Sequence, residues 1–180
     1  MSAGADDRLE TDGCKRNSAA LTIRLARPDD EDRILAWRND PFIVARTTTQ
    51  RQIDAKEHRL WYRAALNDAR RRIQIIEVAG QPAGSLRFDK IEEGTCIISV
   101  CLTEAFTGHG YGPQAISQAS VEVIRDWNVD VIACVRADNL AGAKAFFRAG
   151  YQETMGRSYC PPDHRIFVLS LSNVSEIDVR

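Results

Sequence analysis

The chain has 180 residues, 44% hydrophobic and 27% charged, and its 24 Lys and Arg against 25 Asp and Glu give a formal net charge of −1. A length of that order is about one domain of roughly 100–200 residues. The near-neutral balance supplies neither a basic field for nucleic acid nor an acidic tail for a basic partner. No apolar run approaches the roughly 20 residues that cross a bilayer, and the N-terminus lacks the apolar core of a secretion signal.

Residues 1–20 are small and polar and read as a flexible tail. The folded domain is expected over 21–172, with 173–180 as a second tail. LTIRLA alternates apolar and polar residues, the pattern of a strand. Pro28 with Asp29, Asp30 and Glu31 suits a helix start, where proline and negative charge are favoured. Ile34, Leu35 and Trp37 follow, and the helix is expected to stop before Pro41, which pushes its predecessor out of helical geometry. A second helix is expected from Asp54 to Ala69, with Leu60, Trp61, Ala64, Ala65 and Leu66 as its apolar face. Arg70, Arg71 and Arg72 then read as cations at its C-terminal end.

The period changes at Ile73. IQIIEVAG and GSLRFDKI form an expected hairpin across AGQPAG. TCIISVCL is almost wholly apolar, which indicates a strand buried on both faces and central in the sheet. TGHGYGP, Thr107 to Pro113, follows, and a helix is expected from Pro113 to about Trp127. VDVIACVRA reads as another buried strand, Leu140 to Ala149 as a short helix stopped by Gly150, and IFVLSL as the last strand. The order describes a single mixed α/β domain.

The five cysteines include no C-x-x-C pair, and three of them fall in apolar runs, which indicates reduced, buried thiols in a cytoplasmic protein. The three histidines, His58, His109 and His164, are scattered without metal-ligand spacing, so no metal is expected.

TGHGYGP is either a surface turn or an anion cradle. Its glycines leave backbone N–H groups unobstructed, and the first N–H groups of a helix have no internal partners and carry the positive end of its dipole. It is not a P-loop, since no lysine or hydroxyl follows Gly112, and G-x-G-x-G is not the dinucleotide fingerprint.

With VRADNLAGAKAFFRAGYQE in hand, the chain resembles the GNAT family of acyl-CoA-dependent N-acetyltransferases over about Leu21 to Leu171. That family's phosphate loop reads [QR]-x-x-G-x-[GA]; Gly110 and Gly112 match and Thr107 departs. Its later signature, N-x-x-[AS]-x-x-x-Y-x-x-x-G-[FY], is matched by Asn139, Gly150 and Tyr151, with Gly142 at the small residue and Phe146 at the tyrosine. The resemblance implies a mixed, mostly antiparallel sheet with splayed central strands and flanking helices. It implies acetyl-CoA as cosubstrate, its pyrophosphate on the amides of Thr107, Gly108, His109, Gly110, Tyr111 and Gly112. The pantetheine arm would pair with the strand edge from Val100 to Leu102, and Asn139 would touch it or cap the following helix.

AWRNDPFIVART and IDAKEHRLW resemble, more narrowly, the N-acetyltransferases of UDP-linked 4-amino-4,6-dideoxy sugars in the pseudaminic acid pathway. Arg38, Asn39, Pro41 and His58 carry that likeness. It implies a small-molecule amine acceptor, a nucleotide sugar, bound by Arg38, Asn39, His58, Trp61 and Arg87, with Arg46 a further phosphate candidate. Arg38 is equally a helix-end charge, His58 equally a structural histidine, and Trp61 equally a core residue. A homodimer is admitted, whereas nucleic acid and membrane partners are not expected.

The implied reaction is direct attack of a neutral amine on the thioester, with the oxyanion held by backbone amides. Cys101 reads as inert core rather than a nucleophile. The usual tyrosine acid is replaced by Phe146, which has no proton to give. Water, Tyr111, Tyr151 or Tyr159 could serve instead, or the thiolate could leave unprotonated; His58 is the candidate base. Two other readings stay open: a protein N-terminal acetyltransferase, and an acyl-CoA-binding module without activity.

Overall fold

The computed structural model describes residues 20–92, 94–155 and 160–175. The expected N-terminal tail, Cys14 and Tyr159 lie outside the described residues. The elements run β1 (Leu21–Leu25), a 3-10 turn (Pro28–Asp30), α1 (Glu31–Asn39), α2 (Pro41–Val44), α3 (Ala55–Leu66), β2 (Arg71–Val78), β3 (Gln81–Glu92) and β4 (Thr95–Leu102). A second 3-10 turn (Glu104–Phe106) precedes α4 (Tyr111–Trp127), β5 (Asp130–Arg136), α5 (Leu140–Arg148), β6 (Gln152–Thr154), β7 (His164–Leu169) and α6 (Leu171–Ser175).

The seven strands form one sheet in the order β1-β2-β3-β4-β5-β7-β6. Every neighbouring pair is antiparallel except β4 with β5, which is parallel. Alternation along the strands divides the side chains between two faces. On one face Leu86, Phe88 and Ile98 join Ala115, Ile116, Ala119 and Val123 of α4 and Ala143 and Phe146 of α5 in the larger core. On the other, Ile73 and Ile75 of β2 pack against Ile34 of α1 and Tyr62 and Ala65 of α3. A buried carboxylate ties β1 to α1: Asp30 accepts from Arg24 at 2.7 and 2.9 Å, from Arg33 at 2.8 Å and from the Arg27 amide at 2.9 Å.

Several expectations are corrected. α3 starts one residue after Asp54, whose carboxylate caps it by accepting from the Lys56 and Glu57 amides, and it ends at Leu66 rather than Ala69. Arg71 and Arg72 are therefore strand residues, not helix-end cations: Arg71 pairs with Asp68 and Asp89, and Arg72 bridges to Glu122 and Asp126 on α4. α4 begins at Tyr111, two residues before Pro113, because Gly110 ends the loop in the left-handed region at φ 90°. β6 and α2 had no counterpart in the sequence reading, and α6 carries ordered chain past 172, with Val174 buried on the core. Two of the cysteines are not free thiols, because Cys134 on β5 is disulfide-bonded to Cys160. The expectation of a cytoplasmic location leaned on reduced thiols, and this pair withdraws that support.

Candidate active site

β4 and β5 are paired only at Thr95↔Asp130, Cys96↔Val131 and Ile97↔Ile132. Beyond that point β4 continues to Leu102 and β5 to Arg136 without pairing, so the two strands splay. The gap opens toward their C-terminal ends, and Val100 and Leu102 lie half-buried along its β4 side. β3 presses close behind: a Cβ on Gly84 would collide with the Cys101 carbonyl, so glycine is required there.

At the wide end of the gap β4 runs through the Glu104–Phe106 turn into the Thr107–Gly112 loop. The Thr107 hydroxyl donates to the Glu104 carbonyl at 2.8 Å, which anchors the first position without a long side chain. Gly108 and Gly110 both have positive φ, and a Cβ built on either meets nothing within 4 Å, so open space lies above them. Gly110 precedes the helix with no side-chain cap. The donors of the first turn of α4 are thus left for an outside acceptor, an arrangement that fits a phosphate. His109 stacks on Tyr111 at 6.1 Å at the loop's tip. Asn139 caps α5, its Oδ1 accepting from the Gly142 amide at 2.9 Å. A Cβ at 142 would press on that same side chain, so glycine leaves the cap undisturbed.

The opposite face of the gap holds part of the expected acceptor set. Arg38, on the last turn of α1, reaches toward Cys101 and feels the charges of Arg87 and Arg51. Its Nη2 donates to Thr49 Oγ1 at 3.0 Å, while its Nη1 is buried and has no partner. Burial, and then the neighbouring cations, draw its pKa below the ordinary arginine value. Arg87 on β3 stands opposite Ser99 of β4, pairs with Asp89 at 2.7 Å and lies over the Trp61 ring at 5.3 Å. A groove of about 410 Å3 opens between Trp61, Arg70, Arg71, Arg87, Asp89 and Lys90.

Other predicted contacts are occupied elsewhere. Both ends of the Asn39 amide bind the Ile53 backbone, at 2.7 and 2.8 Å, which closes the loop between α1 and α3. Arg46 donates to the Phe42 carbonyl at 2.6 Å and covers the Phe42 ring. His58 is 2% exposed, its Nε2 lies 3.2 Å from the Glu31 carbonyl oxygen, and its ring stacks on Tyr62. Burial holds its pKa below 6.5.

Tyr151 is 1% exposed and its hydroxyl is 2.6 Å from that of Ser120. Burial keeps it protonated far above its ordinary range, so it is engaged inside the core and not aimed at the gap. Burial also pushes the Cys101 thiol up to about 12, which suppresses the thiolate a nucleophile needs. Thr48, Thr49 and Asp163, to which the sequence analysis gave no role, meet His164 and Arg38 beside the C-terminal end of β5; the DH dipeptide at the start of the last strand is the one local signal that could have marked them.

A splayed parallel pair with a glycine cradle at its wide end defines an acyl-CoA-dependent transferase. A model of the acetyltransferase (GNAT) domain matches residues 20–152, so the chain belongs to that family and is an acetyl-CoA-dependent N-acetyltransferase. Among solved structures it is similar to the aminoglycoside acetyltransferase AAC(6')-Ib in complex with coenzyme A, at 16% identity and TM-score 0.75 over 88% of this chain and 99% of that one. It is also similar to spermidine N-acetyltransferase from Vibrio cholerae with CoA and spermine, at 16% identity and TM-score 0.72 over 86% and 98% of the two chains. A third likeness is to yncA, a putative acetyltransferase from Salmonella typhimurium with acetyl-CoA, at 22% identity and TM-score 0.68 over 84% and 94%. A search by sequence among curated proteins finds no match. No helix among the described residues is long and apolar enough to cross a membrane.

Proposed function

We propose that the enzyme acetylates a primary amine on an anionic acceptor, and that the acceptor is a UDP-linked amino-dideoxy sugar bearing a 4-amino group. The observation that carries this reading is the buried, unpartnered Nη1 of Arg38 beside Arg87, on the face of the gap away from the phosphate loop. A guanidinium held in that way is suited to a phosphate oxygen. The groove around Trp61, where Arg70, Arg71, Arg87 and Lys90 face Asp68 and Asp89, offers a ring for a base and an excess of cations for a diphosphate. Kanamycin and spermine, both polycations, are bound in two similar solved structures, whereas an acceptor face built on Arg38 and Arg87 suits an anion.

In this reading the amides of Thr107 to Gly112 hold the pyrophosphate of CoA, the free edge of β4 from Val100 to Leu102 pairs with the pantetheine, and Asn139 borders it. His58 and Asn39 act by packing and loop closure, and the leaving thiolate needs no protein acid at Phe146. The test is thiol release from acetyl-CoA with UDP-4-amino sugars, spermine, kanamycin and an N-terminal peptide. Turnover of a UDP-amino sugar above the rest is expected; preferential turnover of the peptide or of a polycation overturns the reading.

A further inference from the structure

The turn before β7 and the first residue of that strand place Asp163 and His164 next to the end of β5. His164 is in register with Arg136, and the Ala137 amide donates to the Asp163 carbonyl at 3.0 Å. Both flank the C-terminal end of β5, the end that has parted from β4 after Ile132, on the side of β5 that carries β7. The His164 side chain is 2% exposed. Its Nδ1 is 2.8 Å from Asp163 Oδ1, and its Nε2 is 3.1 Å from Oγ1 of Thr48, 116 residues earlier in the chain. Thr48 is exposed, and its neighbour Thr49 holds Arg38. One loop therefore meets the acceptor-side arginine and the buried imidazole at consecutive residues.

We propose that Asp163, His164 and Thr48 form a proton relay that deprotonates the acceptor's ammonium at the opening of the gap. An ionised carboxylate only accepts, so Asp163 fixes the proton on Nδ1 and leaves the lone pair on Nε2. The Thr48 hydroxyl then donates to Nε2 and turns an oxygen lone pair outward. The ammonium gives its proton to Thr48 Oγ1 as the Thr48 proton passes to Nε2, and the imidazolium is held by Asp163. The freed amine nitrogen bonds to the thioester carbonyl carbon, the C–S bond breaks, the surplus proton on that nitrogen passes through water to the leaving thiolate, and the imidazolium returns its proton to water. Amide, free thiol and one released proton balance the acyl transfer. Thr48 is the group that meets the ammonium, and His164 acts through it.

Other titratable groups on this face are committed elsewhere: His58 is buried against Glu31, the Cys101 thiol is held protonated, and Asp40 caps α2. Among the described residues the charges facing His164 are Asp163 on its own turn, Arg136 on β5, and Asp138, which is ion-paired to Arg136. Both carboxyls are held below the usual range, Asp138 by Arg136 and Asp163 by His164, so they stay ionised across neutral pH.

The relay rests on the acyl-transfer reading of the gap and not on the identity of the acceptor. The pH dependence of kcat/KM is measured on whichever amine of the panel is turned over, for the natural protein, His164→Gln, Asp163→Asn, Thr48→Val and Thr48→Ser. His164→Gln is expected to abolish the acid limb and lower kcat/KM about 100-fold, with acetyl-CoA affinity unchanged. Thr48→Val is expected to abolish the same limb, and Thr48→Ser to keep it. An unchanged limb in a folded His164→Gln enzyme overturns the relay. Ring 15N NMR of the acetyl-CoA complex decides it without any acceptor: the Nδ1–H tautomer is expected, and the Nε2–H tautomer overturns it. A panel with no turnover therefore counts against the acceptor reading, while the tautomer still decides the relay.

Discussion

Phe146, which the family resemblance aligns with a proton-donating tyrosine, is packed as a core residue. It is 7% exposed, edge-on to Tyr151 at 5.1 Å and stacked on Phe167 at 6.2 Å. Phe146→Ala should cost about 3–5 kcal/mol by lost transfer free energy and a residual cavity, read as a lower urea midpoint. His58 is a second residue whose burial makes a measurable statement. Its folded pKa lies below 6.5 because burial penalises the charged ring. The unfolded chain thus binds more protons in the window between the two values, and stability falls as pH drops from 6.5 toward the folded pKa. The slope is at most about 1.4 kcal/mol per pH unit. Thermal melts between pH 7.5 and 5.5 should show the loss, and His58→Gln should flatten it even where it lowers the midpoint throughout.

At the scale of elements, what was legible was local. The largely apolar run of β4 and the glycines after it mark a central strand and a candidate cradle within one stretch of sequence. The start of α4 was missed because Pro113 is a strong helix-start residue, yet it works as well at the third helical position once Gly110 supplies the left-handed turn. Arg70 to Arg72 were misread because cations suit a helix end and a strand alike; only the third dimension brings Asp89, Glu122 and Asp126 to them. QET, the whole of β6, is too short and polar to show a period. The disulfide was illegible for the same reason, since Cys134 and Cys160 have no spacing motif and meet only because β5 and β7 pair. It closes 26 residues of chain around α5 and β6. In a chain-entropy account a loop of that length contributes about 3–4 kcal/mol. Cys160→Ser, or dithiothreitol, should lower the unfolding free energy by about 2–4 kcal/mol. Identical melts with and without reductant would show that the bond is absent in solution.

For the whole molecule, the sheet divides the work. In the proposed reading the phosphate cradle belongs to the β4-to-α4 connection, and its motif could be read because its parts are contiguous. The proposed acceptor side is assembled across the fold, from Arg38 on α1, Arg87 on β3 and the loop whose Thr48 and Thr49 meet His164 and Arg38. Sequence could nominate Arg38 and Arg87 but not show that the Asn39 amide is consumed by Ile53. This division has a kinetic consequence. Gly110→Val forces a branched residue into φ 90° at the cradle and should raise KM for acetyl-CoA at least tenfold, leaving the acceptor KM alone. Arg38→Gln removes the guanidinium whose Nη1 is buried and unpartnered and should raise the acceptor KM about 10–100-fold, in line with about 1.5–3 kcal/mol for a charged hydrogen bond, with KM for acetyl-CoA unmoved. Because the two groups serve opposite faces of the sheet and share no partner, the double variant should lose the sum of the two effects to within about 0.5 kcal/mol in kcat/KM. A coupling above about 1 kcal/mol would mean that each substrate organises the other's face. The splay between β4 and β5 would then act as a hinge, and not as a fixed slot in which two independent sites meet.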